Sequence, residues 1–222
     1  MLNNNYGGVE LKNVIDFFLK ISFGQQYALL KSDDEKDIIV ACLRLGWKEA
    51  FKHVSENHNE KGINEEDLRK FLKKVCFKNF IEYCKCSATE DKSKIIESIL
   101  KDDHDFYKGI IDFKKISDTK NPICFGHIQK MFNLAIKFYL CLVILKDSGL
   151  FDKKLNIDID FEHADCPIDS KILMKIKDNT INDLSWSKIK TDEDIRKYKK
   201  IQEYISEEVK GNSNLSFDFN EW

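Results

Sequence analysis

Apolar residues recur along most of this chain at intervals of three and four positions, which is the spacing of one face of an α-helix. Proline, which interrupts helices, occurs only at positions 122 and 167. The short segment 155–161 alternates instead, and it indicates a connection or an edge strand. We therefore predict an all-α protein, with helices over residues 9–22, 33–58, 87–101, 170–177 and 191–210 and another that begins after its N-cap Asn64.

The length of the chain, 222 residues, suits a globular unit that buries roughly 70% of the surface of its unfolded state. The sequence contains no internal repeat, and no segment has the composition of a linker. We expect one domain over residues 1–222, folded as two helical lobes with a central cleft between them. The sequence does not mark the boundary between the lobes.

The most apolar stretch, residues 131–145, contains only two strongly polar side chains, Asn133 and Lys137. Lysine is rare in such helices, because burying an ammonium group is costly unless the group is paired or neutral. One face of this helix carries Lys130, Asn133, Lys137 and Cys141, and we expect it to turn toward a cleft. Partial burial there favours the neutral amine that a nucleophilic lysine needs. The alternative is a lysine with a half-buried stem whose ammonium reaches water.

Seven cysteines are scattered over the predicted helices, an odd number that favours reduced thiols and a cytoplasmic setting over a disulfide framework. Cys84 and Cys86 form only a weak metal motif, because no second pair of cysteines or histidines stands at the required spacing. We therefore expect no metal and no cofactor. We also expect no signal peptide and no membrane contact, since the apolar run around Lys137 is too short and too polar at its centre to span a bilayer.

The formal net charge of −2 argues against a general polyanion binder, which would be basic overall. The lysines are nevertheless concentrated in two regions. Residues 119–146 contain four lysines and no acid, and residues 171–190 contain five lysines against Asp178 and Asp183. Solvated lysines on ordinary helices explain most of them, but both regions adjoin the motifs that carry candidate chemistry.

A helix motif and a proline-aspartate turn carry a family resemblance. The helix reads Lys130-Met-Phe-Asn-Leu-Ala-Ile-Lys137, and Asp169 ends a Pro-Ile-Asp turn 32 residues after Lys137. These segments resemble the Lys-Thr-x-x-x-Ala-x-Lys helix and the Pro-x-Asp turn of the archaeal GO glycosylases, a divergent branch of the helix-hairpin-helix DNA glycosylases. Met131 stands in place of the motif's threonine. The resemblance implies a helix-hairpin-helix glycosylase fold, with Lys137 as the nucleophile and Asp169 as the catalytic aspartate.

The two ends of the chain add to this resemblance. The closing Asp218-Phe-Asn-Glu-Trp222 is similar to the Asp-x-x-x-Trp that closes the family's base pocket. Gln25-Gln26 and Trp47 are similar to its pocket glutamine and tryptophan, although the sequence does not select between the two glutamines. Base-binding roles are therefore implied for Gln25, Gln26, Trp47, Asp218 and Trp222. We expect Phe217 and Phe219 to anchor this final helical turn in the core. Taken without the family, Trp47 is explained as a core residue, and the tail as a segment tucked into an apolar groove.

The segment before the Lys137 helix is the candidate contact with the DNA backbone. Pro122 ends any preceding helix, and Gly126 permits a tight turn or a close approach of the backbone to a ligand. A hairpin here would present backbone amides to a phosphate, with Gly126, His127 and Lys130 on the phosphate side. An ordinary turn between helices explains the same residues.

The activity implied by the resemblance is that of a bifunctional DNA glycosylase and AP lyase. Lys137 would attack the anomeric carbon of a flipped nucleotide, displace the base and form a Schiff base. Elimination of the downstream phosphate would nick the strand, while Asp169 stabilises the positive charge on the sugar. Asp169 is also a natural N-cap, and the two roles are compatible. The implied partner is double-stranded DNA with an oxidised or modified base, 8-oxoguanine first of all, bound by a monomer.

A function of another class explains the same scaffold. A helical nucleic-acid-binding or interaction protein would keep the fold without catalysis, and the mild net acidity favours this alternative. The joint presence of Lys137, Asp169, Asp218 and Trp222 opposes it. Trapping of a Schiff base with borohydride distinguishes the two functions.

Overall fold

The computed structural model describes residues 5–6, 9–52, 54, 64–114, 123–178, 181 and 183–220. Over these residues the chain is helical, apart from connections and a short antiparallel pair of strands, β1 (Asn5–Tyr6) and β2 (Val9–Glu10). The helices are α1 (Leu11–Phe23), α2 (Tyr27–Leu30), α3 (Glu35–Ala50), α4 (Glu65–Phe71), α5 (Phe77–Cys84), α6 (Thr89–Ile99), α7 (Asp105–Lys114), α8 (Phe125–Asp147), α9 (Ser170–Lys175), α10 (Asp192–Glu208) and α11 (Leu215–Asn220). Short 3-10 turns lie at Gly24–Gln26 and Trp186–Lys188, and a π-helical turn lies at Leu72–Cys76. The prediction of an all-α fold is confirmed.

Side chains cap several helices at their first turns. Asn64 caps α4 as predicted, because its side chain accepts hydrogen bonds from the backbone N–H groups that follow. Thr191 caps α10 in the same way. α3 ends at Ala50, and the described residues 51, 52 and 54 beyond it are not helical. The rest of the predicted extension to residue 58 lies outside the described residues.

α8 is the central helix of the core and packs along α3 in the opposite direction. Tyr139 meets Glu35 at the start of α3, while Met131 meets Gly46 near its end. The two backbones come very close at Gly46, where a Cβ atom would lie 2.3 Å from the carbonyl oxygen of Met131. This glycine therefore sets how closely the two helices approach each other.

Length and composition alone would allow α8 to cross a membrane. The helix has 23 residues and a mean hydropathy of 1.6 over its most apolar part, and half of that part is buried inside the protein. The core helix of a globular protein meets the same criteria. α8 begins at Phe125, so it is longer than the apolar run seen in the sequence, and the expectation of no membrane contact stays a prediction.

The connection from α8 to α9, residues 148–169, contains neither a helix nor a strand. The alternating segment 155–161 is therefore a connection, one of the two structures that its sequence allows. Glu35 holds this segment, because its carboxylate accepts hydrogen bonds from the backbone N–H groups of Asn156 and Ile157 at 2.6 and 2.7 Å. The connection then turns inward, and residues 164–168 are all buried.

Replacing Gly46 by alanine is expected to destabilise the fold by about 1–3 kcal/mol, the usual cost of extra volume in a packed core. The added methyl group would meet the backbone of Met131, which cannot rotate away. Gly109→Ala is the comparison, because its methyl group would meet the ring of Phe71, a side chain with rotatable bonds. Urea unfolding measures both losses. A smaller loss for Gly46→Ala than for Gly109→Ala would contradict a contact limited by the backbone.

Candidate functional site

Two lysine–aspartate pairs lie along α8. Nζ of Lys137 is 2.6 Å from Oδ2 of Asp218, and Nζ of Lys130, two helical turns earlier, is 3.3 Å from Oδ2 of Asp169. The side chains of Lys137 and Lys130 are 16% and 12% exposed. Each side chain therefore lies at the edge of the core, where a carboxylate compensates the charge of its ammonium group.

Asp169 has a structural partner and a charged partner. Oδ1 caps α9, because it accepts hydrogen bonds from the backbone N–H groups of Lys171 and Ile172 at 2.9 and 3.2 Å. Oδ2 faces Lys130. The predicted N-cap is confirmed, and it fixes the orientation of the carboxylate. The resemblance implies that Asp169 acts with Lys137, whereas in the structure it forms an ion pair with Lys130.

Asp218 lies on α11 and is almost completely buried. Its neighbour Phe219 is exposed, and Nζ of Lys137 lies 4.7 Å from the centroid of its ring. The expectation that Phe219 anchors the tail in the core is therefore wrong. Leu215 and Asp218, three positions apart, occupy the buried face of α11 and leave Phe219 outside it. The helix thus offers a carboxylate and an aromatic ring to the same lysine.

A buried extended segment, residues 164–168, supports both aspartates, and we call it the strap. Gln129 of α8 donates a hydrogen bond to the carbonyl of Ile168 at 2.8 Å and accepts one from its N–H at 3.2 Å. Gln202 of α10 holds the carbonyl and N–H of Cys166 in the same way, at 2.8 and 3.0 Å. The two amides replace the neighbouring strand that such backbone would have in a sheet, and they fix the chain just before Asp169.

The strap also holds the last helix. The carbonyl of Ala164 accepts hydrogen bonds from the backbone N–H of Leu215 at 3.3 Å and from the hydroxyl of Ser213 at 3.1 Å. Asn214 donates to the side-chain oxygen of Gln202 at 3.1 Å. Contacts at one end of the strap therefore place α11 and its Asp218, while contacts at the other end place Asp169.

Asp165, the second residue of the strap, carries a buried charge. Its Oδ1 lies 3.4 Å from Nζ of Lys92 and accepts a hydrogen bond from the hydroxyl of Thr89 at 2.8 Å. Its Oδ2 accepts a hydrogen bond from the hydroxyl of Tyr198 at 3.2 Å. The side chains of Lys92 and Asp165 are only 2% and 3% exposed. Through this carboxylate, α6 and α10 both hold the strap.

The thiol of Cys166 is fully buried in the strap. Burial raises its pKa, the negative charges of Asp218 and Asp169 raise it further, and Lys137 acts in the opposite direction. With this raised pKa the thiol stays protonated at neutral pH and is not a candidate nucleophile.

The polar face predicted for α8 is open only in part. Lys130, Lys137 and Cys141 are partly exposed, but Asn133 is fully buried. Asn133 accepts a hydrogen bond from the hydroxyl of Tyr83 at 2.7 Å, and its amide nitrogen lies 3.5 Å from the carbonyl of Cys166. The strap therefore covers the middle of this face and leaves its two lysines accessible.

The residues expected to contact phosphate are packed at the start of α8. Gly126 lies in the first turn of the helix and not in a hairpin, and a Cβ atom there would lie 1.5 Å from the carbonyl oxygen of Trp186. Close packing, not a tight turn, is thus the reason for this glycine. His127 is buried and accepts a hydrogen bond from the N–H of Cys124 at 3.2 Å. Lys130 faces Asp169, and the phosphate contacts of all three residues stay predictions.

Trp186 is a residue of the site that the sequence did not identify. Its ring centroid lies 5.6 Å from that of His127, and Nζ of Lys130 lies 4.5 Å from the indole centroid. The side chain is partly exposed. A single tryptophan in a polar connection has no periodic pattern, so the available signal was an aromatic residue within the lysine-rich region 171–190.

The two glutamines expected in the base pocket lie beside α4. The side chain of Gln26 is buried, donates to Glu65 at 3.3 Å and accepts from Arg69 at 3.1 Å. Gln25 is exposed, and its backbone carbonyl accepts from Arg69 at 3.1 Å. The guanidinium of Arg44 holds the pKa of the Glu65 carboxyl below its usual value. Gln26 is therefore part of a polar cluster between the turn before α2 and the start of α4.

Of the two tryptophans expected in the base pocket, Trp47 belongs to the described residues and Trp222 does not. Trp47 is fully buried and packs against the rings of Phe51, Phe71 and Phe113, as a core residue does. Trp222 lies outside the described residues. Of the five expected base-binding residues, Asp218 is the one that the described contacts bring to Lys137.

The glutamines that hold the strap are further residues that the sequence analysis missed. Gln202 follows Ile201 on the buried side of α10, and Gln129 precedes the apolar run of α8; both are fully or almost fully buried. A polar amide at an apolar position was the available signal, because such groups need buried partners. The described residues contain no group of three His, Cys, Asp or Glu side chains placed to hold a metal ion.

The geometry around Lys137 permits proton transfer and nucleophilic attack. A carboxylate at 2.6 Å is within hydrogen-bonding distance and can accept a proton from the ammonium group. The neutral amine can then form a covalent bond to an electrophilic carbon. The Lys137 side chain is partly exposed.

Lys92→Met is expected to destabilise the protein by about 3–5 kcal/mol, because it leaves the Asp165 carboxylate buried without its counter-charge. Adding Asp165→Asn should recover most of that loss, since no charge is then buried. Lys94→Met, on the exposed side of the same helix, is the matched control and should leave stability unchanged. Chemical denaturation measures all three variants. Equal stability of the Lys92 and Lys94 variants would mean that the buried pair is dispensable.

Comparison with known proteins adds no further constraint. The chain matches no protein-family model, no curated protein and no solved structure. A functional assignment therefore rests on the residues themselves. The arrangement that it has to explain is a pair of partly exposed lysines, each held by an aspartate that the strap supports.

Proposed function

We propose that this protein is a DNA repair enzyme, a glycosylase with associated AP lyase activity that excises an oxidised or modified base, 8-oxoguanine first of all. The observation that carries the proposal is Lys137, whose side chain is partly exposed and whose Nζ lies 2.6 Å from the buried carboxylate of Asp218. In this arrangement the carboxylate is placed to accept a proton from the lysine, and the resulting amine can form a bond to a substrate carbon. The resemblance to the archaeal GO glycosylases supports the same residue as the nucleophile.

The proposed first step uses the Lys137–Asp218 pair. Asp218 takes a proton from Lys137, and the neutral amine forms a bond to C1′ of a flipped nucleotide. The bond between C1′ and the base breaks, and the base leaves with the electron pair and the proton. The C1′–O4′ bond then opens as the C=N bond forms, and a second proton passes from the nitrogen through Asp218 to O4′, which gives the protonated Schiff base and a 4′-hydroxyl. Loss of a C2′ proton to a carboxylate of the site expels the 3′ phosphate and nicks the strand.

The Lys130–Asp169 pair has a supporting role in this reaction. Asp169 stabilises the positive charge that develops on the sugar as the base departs. Lys130 forms an ion pair with this carboxylate at 3.3 Å and is the lysine proposed to face a phosphate of the DNA backbone. Gly126 and His127 would contribute to that phosphate side through the backbone at the start of α8.

The residues proposed to recognise the base are those implied by the resemblance: Gln25, Gln26, Trp47, Asp218 and Trp222. Gln26 would exchange its bonds to Glu65 and Arg69 for the edge of a base. The same proposal includes the two-lobed helix-hairpin-helix architecture with its cleft, a double-stranded DNA partner, a monomeric state, cytoplasmic location and activity without a cofactor.

A nucleic-acid-binding or interaction protein without catalysis is the second candidate. The formal net charge of −2 favours the interaction protein, since it does not have to hold DNA. It requires no reactive lysine, so it would give no covalent adduct with a damaged duplex after borohydride reduction.

Lys137→Gln is expected to abolish both base release and borohydride crosslinking while the fold and DNA binding persist, because glutamine can still donate a hydrogen bond to Asp218 but cannot form a Schiff base. Lys130→Gln is the matched control, since it changes the other ion-paired lysine of the same helix. Denaturing gel electrophoresis of the trapped complex measures the adduct. Crosslinking that survives in Lys137→Gln and disappears in Lys130→Gln would transfer the nucleophilic role to Lys130.

Asp218→Asn and Asp169→Asn are expected to slow different steps. Either change should reduce base release about a hundredfold or more, the effect typical of a positioned acid or base. On a preformed abasic site no base has to leave, so Asp169→Asn should be impaired much less than Asp218→Asn. Asparagine is as good an N-cap as aspartate, so α9 is retained. Near-normal base release by Asp169→Asn would reduce that residue to a helix cap.

A further inference from the structure

The two aspartates of the site are carried by very short helices. Asp169 precedes α9 and Asp218 lies in α11, and each of these helices has six residues. Helices of that length are not stable alone, so contacts with the rest of the fold must place both carboxylates. The placement must also be accurate, because a displacement of about 1 Å in a reacting group can cost about a hundredfold in rate.

Both short helices are attached to the strap, residues 164–168. The chain enters α9 directly after Ile168, whose backbone Gln129 holds from both sides. α11 is attached at the other end, where the carbonyl of Ala164 accepts the hydrogen bond from Leu215. A shift of the strap along its own direction would therefore move both aspartates relative to the lysines of α8.

Asp165 is the charged residue within the strap, and it is held from two helices. α6 supplies the hydroxyl of Thr89 and the ammonium of Lys92, and α10 supplies the hydroxyl of Tyr198. Apolar packing is not directional, whereas hydrogen bonds to both oxygens of a carboxylate are satisfied in few positions. Buried ion pairs add little stability over apolar residues of similar size, so a positional restraint is what this one can supply.

We propose that Asp165 is a positioning residue that, through the strap, sets the geometry of both lysine–aspartate pairs. Lys92 supplies the counter-charge of its buried carboxylate, and Thr89 and Tyr198 fix the direction of its two oxygens. The expected effect of Asp165 on the reaction rate rests on the proposed function. Its expected effect on the positions of the two lysines and the two aspartates is independent of that function.

Tyr198→Phe is the variant that tests this role with the smallest change. It removes one hydroxyl and its hydrogen bond to Asp165, while the ring stays in the core. Tyr139→Phe is the matched control, because Tyr139 is equally buried and donates its hydroxyl to another carboxylate, that of Glu35. The same chemical change is thus made once at the strap and once away from it.

The two lysines of the site report on the geometry by NMR. Reductive methylation with ¹³C-formaldehyde labels lysines and keeps their positive charge. Nζ of Lys137 lies 4.7 Å from the Phe219 ring centroid, and Nζ of Lys130 lies 4.5 Å from that of Trp186, so ring currents shift both methyl signals upfield. Lys137→Gln and Lys130→Gln assign the two signals. In Tyr198→Phe both upfield shifts should shrink, and in Tyr139→Phe both should persist.

Borohydride trapping on a duplex with an abasic site gives the second measurement. Tyr198→Phe is expected to slow trapping about tenfold with little change in duplex affinity, because the reacting groups are displaced and the DNA contacts are not. Tyr139→Phe should trap at the rate of the unaltered protein. A merely structural hydroxyl would lower the melting temperature in both variants and leave the lysine signals and the trapping rate unchanged.

Unchanged lysine signals in Tyr198→Phe would overturn the positioning role. The double variant Lys92→Met with Asp165→Asn repeats the comparison with the charged anchor removed and should displace the signals further. Signals that stay in place there would overturn the role as well. If the unaltered protein traps no Schiff base at all, the proposed function fails, and the NMR comparison still decides whether Asp165 positions the two pairs.

Discussion

Backbone that is buried outside a helix or a sheet must find hydrogen-bond partners elsewhere, and the strap at residues 164–168 is subject to this constraint. Its partners are side chains of the surrounding helices: Gln202 serves Cys166, and Gln129 serves Ile168. The bonded residues alternate along the segment, as they do along a β-strand with one neighbour. Two glutamines within otherwise apolar helix faces thus determine where the chain runs before Asp169, and the rest of the site follows from that path.

The same path determines the electrostatics of the site. The strap and the helix α11 bring Asp169 and Asp218 to Lys130 and Lys137, so two positive and two negative charges lie together at the edge of the core. Surfaces that retain a polyanion present cations without nearby acids. Lys137, compensated by Asp218, is better suited to proton transfer than to holding phosphate. This arrangement supports the proposed enzyme over a binding protein without catalysis.

The sequence identified residues that break a local pattern. Lys137 interrupts an apolar run, and Asp169 follows a proline at the start of a helix, so both were found without tertiary information. Their pairing was not predictable, because Asp218 and Lys130 reach these residues only through the path of the strap. Gly126 illustrates the same limit: a glycine before an apolar run suggested a turn, whereas the carbonyl of Trp186 against the helix is the actual reason for it.

Contacts between neighbouring residues could be predicted from the sequence, whereas contacts between distant parts of the chain could not. Asn64 was recognised as a cap from its own sequence, because the hydrogen bonds of an N-cap involve the next two or three residues. The buried ion pair of Lys92 with Asp165 joins residues 73 positions apart, and the sequence around neither residue predicts its partner. Lysines and aspartates are common on solvated helix faces, so only the fold shows which of them are enclosed.

The spacing of Lys130 and Lys137 along α8 suggests which part of a nucleotide each lysine–aspartate pair would contact in the proposed reaction. Seven residues of α-helix span about 10 Å, which is too far for direct proton transfer between the two pairs. The distance is comparable to the size of one nucleotide with a flanking phosphate. A single flipped nucleotide can therefore meet both pairs, with the Lys137 amine and Asp218 at the sugar carbon and Lys130 with Asp169 toward the backbone. Fixing two carboxylates at that separation is what the strap achieves, since it holds α9 at one end and α11 at the other.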